Sequence, residues 1–114
     1  MKYIKSFENT IEEPQIGDYT IFNYPINYLL NSEWSFFLNN TIGQIKDIYL
    51  SFNKSKEITI KYNKEELPKS LYLYIDVRND CQRTFNEDTI KNFLLFSPTL
   101  EELEIKIAAK KYNL

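Results

Sequence analysis

The sequence predicts an α+β domain: a small, strongly bent antiparallel sheet or partial barrel of about five strands, with a C-terminal helix and a helical insertion after the first strand. Three observations lead there. Apolar and polar residues alternate in a series of short runs, the period of half-buried strands. Pro-, Gly- and Asn-containing turns separate those runs. The last stretch switches to helical spacing behind a start signal, Ser97-Pro98-Thr99 with Glu102.

Residues 1–13 carry Tyr3, Ile4 and Phe7 at helix-like spacing and predict a short helix or an N-terminal arm. Pro14 closes that segment, because the residue before a proline is pushed out of helical geometry. Gly17-Asp18 is a turn signal into the first strand, where Tyr19 and Ile21 alternate with Thr20, Phe22 and Tyr24. Gly17 is expected to supply a backbone angle that a side chain resists. After Pro25, Ile26, Leu30, Trp34, Phe37 and Leu38 fall near one helical face. Asn31 or Ser32 can cap a shorter helix from Glu33, and Asn39-Asn40 ends it.

Ile48, Leu50 and Phe52 then alternate, with Ile45 out of phase by one residue. A β-bulge near Lys46-Asp47 repairs the phase. A polar turn leads to Ile58, Ile60 and Tyr62, which complete a hairpin. Beyond Pro68, Leu71, Leu73, Ile75 and Val77 form an aliphatic row opposite Tyr72, Tyr74, Asp76 and Arg78. This predicts a strand with the aliphatic row buried and Ile58, Ile60 and Leu103 among its neighbours. Residues 83–96 read as a short strand, a capped turn at Asn86 and more apolar chain. Leu100, Leu103 and Ile107 make the stripe of the final helix, with its acids early and its lysines late, as the helix dipole prefers.

The segments "IGDYTIF", "IGQIKDI", "ITIKY", "CQRTF" and "SPTLEELE" resemble a layout found in small uncharacterised proteins of phages, large viruses and low-GC bacteria. The layout is also similar to SH3-like barrels of translation and transcription factors. There a glycine precedes the first strand and a Gly-x-Ile-x-x-Ile segment, here Gly43 to Ile48, enters the second. The resemblance spans roughly residues 14–105 and implies an SH3-like partial barrel. The stretch between Phe22 and Thr41 is longer and more helical than a typical barrel loop.

The length of 114 residues fits one domain, 1–114, with a core that needs no disulfide or metal. No apolar run suits a membrane span, and the N-terminus lacks a secretory pattern. The single Cys81 forms no internal disulfide, so a cytoplasmic setting is expected, the host cytoplasm for a phage or viral protein. The abundance of Asn, Ile, Lys, Tyr and Phe reads as AT-rich codon usage, which discounts the aromatics as evidence of a stacking surface. Residues 1–60 carry five Lys and no Arg against seven acids, and residues 61–114 carry nine of each sign. Neither half is basic enough to suggest general nucleic-acid binding.

The chain has no histidine, which removes Ser-His and Cys-His pairs and N/S-ligated zinc. Its two glycines are too far apart for a phosphate loop. No catalytic residue, metal or cofactor is therefore expected. The expected function is a non-enzymatic module docking on a protein partner; an accessory or anti-defence inhibitor of a phage or virus is a special case. The alternatives are a nucleic-acid or nucleotide binder and, behind it, an enzyme. The candidate binding residues are Lys61, Tyr72, Tyr74 and Arg78 as one outward row, with Arg83 and Trp34. Tyr, Trp and Arg carry much of the energy at protein interfaces, and the same types stack bases. Three competing expectations are local pairing of Arg78 and Arg83 with Asp76 or Asp80, a tyrosine row packed against a second layer, and Trp34 in the core.

Overall fold

The computed structural model describes residues 13–25 and 32–111. Residues 1–12 of the expected arm over 1–13, the apolar residues Ile26 and Leu30 and the candidate cap Asn31 lie outside the described residues. The elements in order are β1 (Tyr19–Phe22), α1 (Ser32–Asn40), β2 (Gly43–Leu50), β3 (Lys56–Lys61), a 3-10 turn (Lys64–Glu66), a longer 3-10 helix (Lys69–Tyr74), β4 (Gln82–Asn86), α2 (Glu87–Phe93), β5 (Leu94–Ser97) and α3 (Leu100–Lys111). The five strands form one sheet in the order β4-β3-β2-β1-β5, and every neighbouring pair is antiparallel. The sheet stays open, with β4 and β5 at its edges.

Local chemistry explains most elements. Gly17 sits at φ 95°, and its N–H donates to the Ile45 carbonyl at 2.9 Å, so the turn into β1 is tied at once to β2. The Asp18 carboxylate accepts from the Gln15 N–H at 2.9 Å and closes the same turn. The Asn39 side chain accepts from the Tyr24 N–H at 2.9 Å and donates to the Tyr24 carbonyl at 3.0 Å. The end of α1 is thereby pinned to the chain leaving β1. The register of β2 against β3 slips between Ile45 and Asp47, where the phase of the sequence places a bulge. Asn86 caps α2 by accepting from the Thr89 N–H at 2.9 Å. For α3 the cap is Thr99, whose hydroxyl accepts from the Glu102 N–H at 3.1 Å; the alternative cap Ser97 instead ends β5 and is buried.

One face of the sheet carries the main core. Ile58 and Ile60 of β3 are fully buried there, with Ile45, Phe22 and Phe85 around them. Phe22 and Phe85 meet with ring centroids 4.6 Å apart. Leu103 is also fully buried, but apart from this cluster, where α3 lies on β5 and β1. It is thus not the expected neighbour of residues 71–77. Lys106 of α3 donates to the Phe96 carbonyl at 2.7 Å and covers the outer edge of β5.

The predicted strand over residues 71–78 is not formed. Lys69–Tyr74 is a 3-10 helix, and extended backbone resumes only at Ile75. Pro68 supplies φ −63° at its start, and the Leu71 N–H returns to the Pro68 carbonyl at 3.0 Å. Side chains three apart eclipse in such a helix. Leu71 therefore turns inward together with Tyr74, and Leu73 turns outward. Leu71 is 1% exposed and Leu73 is 90% exposed. The expected aliphatic row is broken at its centre: Leu71 and Ile75 are buried, Val77 is half-buried and Leu73 faces solvent.

Candidate functional site

Three of the six residues singled out by type come together. Trp34 of α1 stacks on Tyr74 of the 3-10 helix, with centroids 5.2 Å apart and planes 16° apart. The Arg83 guanidinium, from β4, lies 5.5 Å from the Trp34 ring centre. Arg83 Nη1 also donates to the Tyr74 carbonyl at 2.6 Å. The register Ile60↔Arg83 and Ile58↔Phe85 places Arg83 on the core face of the sheet, at its β4 edge. There its charged head reaches solvent while its stem lines the core rim.

The other three are elsewhere. Tyr72 is half-buried and packs against the core, so it is no part of an outward row. Arg78 is exposed in the turn between Asp76 and Gln82. Lys61 ends β3 on the face opposite Arg83. The outward row fails because residues 69–74 do not alternate. Local pairing of the arginines with Asp76 or Asp80 also fails. Among the described residues no carboxylate forms an ion pair with Arg78 or Arg83, and Asp80 pairs with Lys46 at 3.0 Å. The hydrogen bond and charge of that ammonium hold the Asp80 carboxyl below its usual range.

Two further residues complete the surface: Leu73, which the sequence reading assigned to the core, and Phe36, which it did not single out. Leu73, next to Tyr74 in the chain, is 90% exposed, and Phe36 of α1 is 68% exposed. Ser70 donates to the Glu33 carboxylate at 2.6 Å, which joins the two helices. Ser70 and Leu73 share one side of the 3-10 helix, and Glu33 and Phe36 share one side of α1. The two exposed apolar residues therefore stand on adjoining faces, with Trp34 and Tyr74 half-buried between the helices. Phe36 had a signal: Trp34, Phe37 and Leu38 define the buried side of α1 and leave residue 36 outside it. For Leu73 the signal was the three-residue spacing from Ser70 behind Pro68.

Apart from this surface, a cleft of about 790 Å³ lies at one end of the sheet and is lined by Lys61, Lys64, Tyr62, Asp80, Cys81 and Leu100 among others. Asp80 and Cys81 adopt left-handed backbone, at φ 61° and 52°. Burial pushes the Cys81 thiol up, against a smaller lowering by Lys64, so the thiol is held protonated and is a poor nucleophile. Among the described residues no group of three His, Cys, Asp or Glu is placed to hold a metal, and no helix is long and apolar enough to cross a membrane. No protein-family model, curated protein or solved structure matches the chain.

Proposed function

We propose that the chain is a non-enzymatic binding module that docks on a protein partner through the joined faces of α1 and the 3-10 helix. The carrying observation is Leu73, 90% exposed and next in the chain to Tyr74 of the Trp34–Tyr74–Arg83 stack. An apolar centre edged by aromatic and arginine side chains has the composition of an interface core. Stacking on Trp34 and the bond to Tyr74 hold the guanidinium still before any partner arrives, which lowers the ordering cost of binding. One of its five N–H donors serves Tyr74, and the rest suit a carboxylate on the partner. The net charge of −2 favours a protein over a nucleic acid as that partner.

The test starts with crosslinking in lysate of the source cells, comparing the wild-type chain with Leu73→Asp. A protein recovered by the first and not the second is then purified and titrated by calorimetry. Leu73→Asp and Arg83→Ala should each weaken the complex at least about tenfold, a loss of about 1.4 kcal/mol. Leu73→Asp should leave the melting temperature unchanged. If both variants bind the purified partner as the wild type does, the reading is wrong. Salt-sensitive retention on nucleic acid, with no protein partner, would favour the alternative.

A further inference from the structure

We infer that residues 72–74 exchange between the 3-10 helix and a sixth strand on the free edge of β4, and that this exchange hides or presents Leu73. The inference concerns control of the surface proposed above and rests on that reading for its consequence.

The first rung of the extra strand already exists. The Asp76 N–H donates to the Gln82 carbonyl at 2.9 Å, and the Gln82 N–H donates to the Asp76 carbonyl at 3.2 Å. Both backbone groups of Gln82 thus point away from β3. Strand alternation turns those of Thr84 the same way, and among the described residues no backbone group pairs with them. In the continuing register Tyr74 is the residue opposite Thr84. Its carbonyl is held now by Arg83 Nη1 at 2.6 Å, and in the strand it accepts from the Thr84 N–H instead. Ile75, between them, is already extended, at φ −143° and ψ 146°.

The same register sets Leu73 opposite Phe85 and Ile75 opposite Arg83. Phe85 and Arg83 share the face of Ile58 and Ile60. Leu73 would therefore enter the core side of the sheet, the place its alternation with Leu71, Ile75 and Val77 suits. Extending three residues lengthens that span by about 4 Å, and unwinding Lys69–Leu71 frees the preceding chain to accommodate the shift. Burial of Leu73 in the strand is set against loss of the Trp34–Tyr74 stack and of the Arg83 bond to the Tyr74 carbonyl, so each state holds contacts that the other gives up. A six-residue 3-10 helix is long for its kind, as expected of a segment held against a competing conformation.

The experiment is amide relaxation dispersion and exchange-saturation NMR on the full chain. The wild type should show one common exchange process at Leu71–Ile75 and Thr84, with a minor state whose shifts are those of extended backbone. Thr84→Pro removes the outward N–H without touching the ladder to β3 and should abolish the process. Leu73→Ile is exposed in the 3-10 state and favours a strand, so it should raise the minor population roughly threefold. Flat profiles in both the wild type and Leu73→Ile, or exchange that survives in Thr84→Pro, would overturn the inference. The readout involves no partner. Flat profiles leave the docking proposal standing, and unchanged partner affinity of Leu73→Asp leaves the exchange standing.

Discussion

Gly43→Ala tests how tightly β2 is seated on β3. A Cβ built at residue 43 falls 2.6 Å from Ile60 Cγ2, 2.8 Å from Tyr62 Cε1 and 3.0 Å from the Lys61 carbonyl oxygen. Carbon atoms in contact prefer about 3.5–4.0 Å, so the first overlap approaches 1 Å. Ile60 is fully buried and Tyr62 is 5% exposed, so neither side chain can swing into solvent, and the carbonyl belongs to the backbone. Overpacking of this kind costs about 1–3 kcal/mol. The gain from replacing a strand glycine offsets about 0.5–1 kcal/mol of it. A net loss of about 1–2 kcal/mol is expected, read from the urea midpoint at constant slope. Ile60→Leu removes the offending Cγ2, so the cost of Gly43→Ala should shrink in that background, a coupling that a double-mutant cycle measures. A loss below about 0.3 kcal/mol, or strictly additive costs, would refute the seating described.

Four further predictions use the same denaturation assay. Leu71→Ala should cost about 2–5 kcal/mol and Leu73→Ala less than about 0.5 kcal/mol; equal costs would restore the continuous strand. The Tyr62 hydroxyl is buried and has no hydrogen-bond partner among the described residues, so Tyr62→Phe should stabilise by about 1 kcal/mol at neutral pH; a loss above about 1 kcal/mol would mean a partner outside them. Burial raises the Tyr62 pKa far above its ordinary 10.0, so the stability tied to the protonated phenol is complete below pH 10 and lost as pH rises. The wild type should fall relative to Tyr62→Phe by about 1.4 kcal/mol per pH unit above that point, and parallel pH profiles would contradict this. Asn86→Ala should cost about 0.5–2 kcal/mol through loss of the α2 cap, and no loss would show the cap to be idle.

What the sequence made legible were features written in neighbouring residues. The turn at Gly17, the bulge after Ile45, the β2–β3 hairpin and the cap at Asn86 each depend on a few adjacent side chains and their period. The seven-residue α2 and the four-residue β5 were not separable in the sequence, because neither completes enough periods to declare itself. The candidate docking surface was half legible. Residue type identified Trp34, Tyr74 and Arg83, and tertiary packing brought them together. Lys61, Tyr72 and Arg78 were placed beside them only through an assumed strand, and they fell away with it.

That strand is where local pattern and tertiary contact disagree. The alternation of residues 71–77 favours extension, whereas Pro68, the Ser70–Glu33 bond and the Trp34–Tyr74 stack favour the 3-10 helix. Natural sequences keep local preference and global fold in agreement across most of their length, and departures gather at functional or strained positions. The departure here has a definite cost. Leaving Leu73 in water forgoes about 1.5–3 kcal/mol of burial that a strand could recover. A partner that covers Leu73 regains that amount on binding, so the free energy withheld from the isolated fold becomes available at the interface. The residue on which sequence and structure disagree most sharply is therefore the one on which the proposed docking surface most depends.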